Sequence, residues 1–126
     1  MTVPAHWPTA FRIDPAKIVD YLLDPTHPDG GSKCEFLRPF GFVQYPGNLL
    51  SAIDMHRQPD NFVCFVKGYQ AFKLHFHGPL ISPSTIDNPN VRTVWQVDDA
   101  DPARIARFIT LKPLPKLLPR QPPPGG

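Results

Sequence analysis

The sequence predicts an α+β domain: two or three N-terminal helices packed on one face of a small antiparallel sheet, with a Pro-rich C-terminal tail. Three observations lead there. Apolar residues between positions 14 and 57 recur at helical spacing, whereas from residue 62 onward short apolar or alternating runs are divided by turn residues. Eighteen prolines, against an average usage of roughly 5%, punctuate the loops and crowd the C-terminus.

Residues 1–13 read as a loose arm. Asp14-Pro15 is a helix start, a capping oxygen followed by proline at the first helical position, and Ile18, Val19, Leu22 and Leu23 supply its apolar stripe up to Asp24-Pro25. Thr26–Gly31 is a turn-rich linker. Ser32 and Glu35 have the spacing of a capping box that opens a second, short helix, with Phe36, Leu37 and Phe40 on its apolar side. A third helix starts at Asn48 and carries Leu49, Leu50, Ala52, Ile53 and His56. Residues 62–67 and 70–77 form a hairpin around Gly68-Tyr69, and a third strand spans Val91–Val97. Ile105–Leu111 is apolar but fits strand or helix equally by periodicity. Residues 14–113 make one domain, and 114–126 a proline-rich disordered tail.

Charge narrows the function classes. Residues 1–111 hold ten basic and eleven acidic side chains, so any polyanion must be met by a local patch and not by the field of the whole molecule. Glu35 is the only glutamate, which argues against a two-glutamate acid/base mechanism. Cys34 and Cys64 lack metal or redox spacing, and Cys64, inside Phe62–Val66, reads as a buried structural thiol. With no apolar stretch of membrane-spanning length and no leader-like N-terminus, a reduced, cytoplasmic protein is expected.

The strand Phe72-Lys73-Leu74-His75-Phe76-His77 is the most informative segment. Alternation sends Phe72, Leu74 and Phe76 to one face and Lys73, His75 and His77 to the other. Three groups suited to binding phosphate or moving protons near neutral pH thus share one rigid surface.

Tyr21-Leu22-Leu23-Asp24-Pro25, Pro25–Lys33, Phe40-Gly41-Phe42, Gly78-Pro79-Leu80 and Arg92-Thr93-Val94-Trp95 together resemble an uncharacterised bacterial domain family. That family has a Tyr-Leu-Leu-x-Pro-x-His-Pro-x-Gly-x-Ser-Lys opening and an Arg-Thr-Val-Trp strand, and the likeness covers residues 18–113. The second half is similar, more loosely, to small ribonuclease toxins of the barnase–EndoU–colicin–RelE type, which set His, Lys, Arg and Thr on one face of an antiparallel sheet. The resemblance implies active-site roles for His56, Lys73, Arg92 and Thr110, RNA as substrate, and an antitoxin or immunity protein as partner, with no membrane and no cofactor. Leu74 and Lys112 stand where relatives carry tyrosine.

Metal-independent RNA cleavage needs a base for the 2′-hydroxyl, an acid for the leaving oxygen, and donors around the phosphate. His75 and His77 suit the proton transfers, with His56 a third base. Lys73 and Arg92 suit the phosphate, and Thr110 adds a hydroxyl donor. Two alternatives stand beside this. One is a non-catalytic protein-interaction domain, favoured by the missing tyrosines and the proline-rich tail. The other is a zinc enzyme built on His75-x-His77 with a third ligand from His27, His56 or Cys34. Gly30-Gly31-Ser32-Lys33 lacks the full phosphate-loop spacing.

Overall fold

The computed structural model describes residues 7–83 and 87–115. Residues 1–6 of the expected N-terminal arm and residues 116–126 of the proline-rich tail lie outside the described residues. The fold is α+β. Its elements are β1 (Ala10–Arg12), a π-helical turn (Ile18–Leu22), α1 (Gly31–Leu37) running into a 3-10 turn (Arg38–Phe40), and α2 (Pro46–His56) followed by another 3-10 turn (Pro59–Asn61). Then come β2 (Phe62–Gly68), β3 (Ala71–Pro79), β4 (Asn90–Asp98) and β5 (Ile105–Pro113). The sheet has five strands in the order β1-β5-β4-β3-β2. β2 to β4 are the three strands expected, and Ile105–Leu111, which fits strand or helix by periodicity, proves to be strand β5, completing an antiparallel meander.

Two expectations are corrected in the N-terminal part. Residues 10–12 are a strand, not a loose arm. They pair parallel to β5 through Ala10↔Ile105 and Arg12↔Arg107, so the sheet is mixed. Phe11 holds the strand in place by packing edge-on against Trp95 and Phe76, with ring centroids 5.3 and 6.1 Å away. The Ser32–Glu35 capping box does not form. α1 starts at Gly31 with no side-chain cap, which leaves Ser32 inside the first turn and exposed. His27 instead braces the turn that precedes α1, its Nδ1 receiving the N–H groups of Asp29 and Gly30 at 3.0 Å each. By contrast, Asp14 does cap its helical turn, Oδ1 accepting the Ala16 N–H at 3.0 Å.

The helical turns cover one side of the meander. Ile18, Leu22, Leu37, Leu49 and Ile53 pack with Leu74, Phe76, Trp95, Phe108 and Leu111 in a single core. α2 begins at Pro46, two residues before the expected start, because proline tolerates the first helical turn, where its missing N–H has no intrahelical partner. The hairpin turn is Tyr69-Gln70, with Gly68 still paired to Ala71 and Gln70 at positive φ.

Two β-bulges set which residues face the core. In β2, Val63 is the extra residue between Phe62↔Phe76 and Cys64↔His75. Phe62 and Phe65 therefore both turn inward, and Cys64 lands on the uncovered face opposite His75. It is half-exposed, not the buried thiol expected. In β5, Ile109 is the extra residue between Trp95↔Phe108 and Val94↔Thr110. It returns Leu111 to the core and puts Thr110 on the uncovered face.

His56 is 1% exposed and lies on the covered side. Its Nε2–H donates to the Gly78 carbonyl at 3.0 Å, so its Nδ1 accepts from the Thr93 hydroxyl at 2.7 Å. The same hydroxyl oxygen accepts the Trp95 Nε1–H at 3.1 Å. Burial lowers the His56 pKa, offset only in part by the Gly78 and Val91 backbone. Thr93→Val strands His56 Nδ1 and Trp95 Nε1 and should cost about 2–4 kcal/mol in urea unfolding. Acid should act in the same direction. The unfolded chain gains a proton near the ordinary imidazole pKa of 6.5 while the native state does not. Stability is therefore complete above that pH and declines below it. His56→Gln should reduce the decline between about pH 7 and 5.5, leaving the share contributed by His75 and His77, which are lowered as well.

Candidate functional site

The side of the sheet opposite the helices carries the chemistry, arranged in rows by the strand register. One row is Cys64–His75–Val94–Thr110, and the next is His77–Arg92–Lys112. A third is Val66–Lys73–Gln96–Arg107. Cross-strand neighbours within a row have Cβ atoms about 5 Å apart. Lys73, His75, His77, Arg92 and Thr110, expected from the sequence to form a site, do share this face, and all are half-buried. His56 does not. It lies beneath the sheet with both nitrogens satisfied, which removes it as an acid or base for anything bound above.

The electrostatics of the face follow from its cations. Partial burial, then Arg92, His77, Lys73 and Lys112, lower the His75 pKa, so its imidazole is neutral at pH 7. No hydrogen-bond partner engages it among the described residues. His77 is lowered by burial and by Arg92, and its Nε2 accepts the Arg92 Nε–H at 2.8 Å. That bond makes His77 a positioning group. It ties down the guanidinium through Nε and leaves the two terminal nitrogens of Arg92 without a protein partner among the described residues. Asp98 is the carboxylate at the end of the face, and it is engaged by Gln96 Nε2 and Arg107 Nη2, each at 2.9 Å.

At the β5 margin the face opens into a groove of about 560 Å³ lined by Lys17, Tyr21, His27, Lys33, Thr110 and Lys112, among others. β1 pairs only with residues 105–107, so the second half of β5 is flanked here by α1 and the π-helical turn. Lys33 Nζ donates to Tyr21 Oη at 2.7 Å and to Thr110 Oγ1 at 2.6 Å, and those two oxygens are 2.7 Å apart. Burial raises the Tyr21 pKa, but hydrogen bonds from Lys33 and Thr110 and the charges of Lys33 and Lys17 outweigh it, and the net shift is downward. Gly30 and Gly31 make this closeness possible. A Cβ on Gly30 would collide with the Tyr21 carbonyl, and one on Gly31 would lie 2.7 Å from the Pro25 carbonyl. Close chain approach, not phosphate binding, explains that glycine pair.

Sequence reasoning missed Tyr21 and Lys33 as site residues. Tyr21 lies beside the apolar stripe of the first expected helix, and Lys33 follows Ser32 in the expected capping box. The zinc alternative lacks a ligand set: no group of three His, Cys, Asp or Glu side chains comes together among the described residues. Cys34 is buried in the core, and His27 is committed to backbone N–H groups. No helix among the described residues is long and apolar enough to cross a membrane.

With this geometry in place, comparison with known proteins gives one assignment. The chain belongs to the DUF6883 family, a domain of unknown function, which matches residues 9–115. No curated protein and no solved structure matches it.

The Tyr21 cluster makes a spectroscopic prediction. Of the three tyrosines, Tyr45 and Tyr69 are exposed. Alkaline titration followed by ultraviolet absorbance should show a phenol ionising below the ordinary tyrosine value of 10.0. Lys33→Met should raise that step, and a wild-type curve with no phenol below the ordinary value would contradict the cluster.

Proposed function

We propose that this domain cleaves RNA without a metal ion, using the uncovered face of its sheet. The observation that carries the reading is His75: a neutral imidazole with no protein partner among the described residues, one strand away from an Arg92 guanidinium oriented by His77. A neutral imidazole takes a proton from a ribose 2′-hydroxyl. The free edge of the guanidinium binds the phosphate bidentately and stabilises the charge that grows on it during attack. Lys73 and Lys112 extend the same face along a polyanion. Of the sequence-based assignments, Lys73, His75 and Arg92 keep direct roles, His77 becomes the group that holds Arg92, and the Thr110 hydroxyl is engaged by Tyr21 and Lys33.

The reading places the protein with toxin-like ribonucleases of the cytoplasm. An acidic antitoxin or immunity protein covering the cationic face would be its natural partner. The fold supports it to the extent that helices precede an antiparallel meander with one face free.

Expression of the wild-type chain in bacteria should arrest growth, and purified protein should cleave RNA in the presence of a chelator. His75→Ala and Arg92→Ala should each lower cleavage by about 10²-fold or more while leaving the unfolding midpoint near wild type. Harmless expression together with intact RNA would reject the nuclease reading in favour of a non-catalytic interaction domain. Activity abolished by the chelator would reject its metal independence.

A further inference from the structure

Cleavage by His75 leaves one role unfilled, the proton donor for the departing oxygen. His77 does not fill it, because its Nε2 lone pair is occupied by Arg92 and its pKa is lowered. Thr110 lies in the His75 row, two strands away across Val94, a separation of about 10 Å between strand axes. The Tyr21 hydroxyl is 2.7 Å from Thr110 Oγ1 and is also held by Lys33 Nζ.

We propose that Tyr21 is the general acid of this site, with Lys33 and Thr110 positioning its hydroxyl. The inference rests on the RNA-cleavage reading and deepens it. A phosphodiester laid over Val94 would have the His75 imidazole at one end and the Tyr21 hydroxyl at the other, the opposed arrangement that in-line displacement requires. Val94 itself is 5% exposed and presents no polar group to compete with the phosphate. Arg92 and Lys112, in the adjoining row, flank the phosphate oxygens.

The step balances. The ribose 2′-oxygen bonds to phosphorus as His75 takes its proton. The P–O5′ bond breaks, its electron pair goes to O5′, and the Tyr21 proton is transferred to that oxygen. The products are a 2′,3′-cyclic phosphate and a free 5′-hydroxyl. The Tyr21 phenolate left behind is paired with the Lys33 ammonium until water reprotonates it, while the His75 imidazolium releases its proton to solvent. Lys33 therefore strengthens the acid by stabilising its conjugate base, the ordinary effect of a cation beside a phenol.

A leaving-group comparison tests this. One substrate is a diribonucleoside monophosphate, whose alkoxide leaving group needs a proton. The other is the 4-nitrophenyl ester of a ribonucleoside 3′-phosphate, whose leaving group does not. Tyr21→Phe should lower kcat on the first about 100-fold and barely change it on the second. His75→Ala should slow both. Equal losses for Tyr21→Phe on the two substrates, or no loss on the dinucleotide, would overturn the proposal while leaving the nuclease reading intact. A wild-type protein inactive on both would remove that reading and this inference with it. Circular dichroism of Tyr21→Phe checks that the fold is kept. A second readout is independent of amplitude: the alkaline limb of the wild-type kcat profile should shift to higher pH in Lys33→Met, because the phenol then ionises later. An unmoved limb would also overturn the assignment.

Discussion

The unbroken nine-residue pairing of β3 with β4, from Ala71↔Asp98 to Pro79↔Asn90, is the constraint on which the rest depends. Side chains alternate with period two along each strand, so a fixed register decides the two surfaces together. Leu74, Phe76, Trp95 and Val97 are sent under the helices, and Lys73, His75, His77 and Arg92 to the uncovered side. The apolar interior and the cationic exterior are two readings of one hydrogen-bond ladder. A slip of one residue would exchange them and bury at least three titratable groups without partners, an outcome far more costly than any single lost contact.

Beneath that ladder, Trp95, Thr93, His56 and the Gly78 carbonyl form a buried polar chain in which each group satisfies the next. A histidine placed there is a joint between α2 and the sheet, since it bonds both central strands at once. On the uncovered side the same residue type serves differently. His75 and His77 are two positions apart on one strand, yet His77 is bonded to Arg92 and His75 has no hydrogen-bond partner among the described residues. The Arg92 side chain, which reaches His77 and not His75, separates their roles.

The sequence made the meander, its helical covering and the alternation of residues 72–77 legible, because strict period-two patterning survives in β3 and β4. It concealed β1, since three residues are too few to show a period and the strand exists only through its pairing with β5. It also left Ile105–Leu111 ambiguous for a definite reason. Ala106, Phe108 and Leu111 point inward at intervals of two and then three, which is neither a clean strand nor a clean helix. The bulge at Ile109 produces that broken rhythm, and Val63 does the same in β2, where it misdirected the expectation for Cys64. Tyr21 and Lys33 were hidden differently. They meet Thr110 across 89 and 77 residues of chain, and no local pattern encodes a contact that depends on the close approach allowed by Gly30 and Gly31.

The bulge in β5 makes one unpaired residue a carrier of chemical information. Were Ile109 to pair with Val94 in an uninterrupted count, Thr110 would oppose Thr93 and turn its hydroxyl into the oily interior, pushing a leucine out into water. Hydrophobicity averaged over the segment would scarcely register the change. A related chain one residue shorter at this point would keep both facings with no bulge at all, since its threonine would then meet Val94 directly. Gaps in this stretch should therefore be judged by the pairing they leave, not by their length.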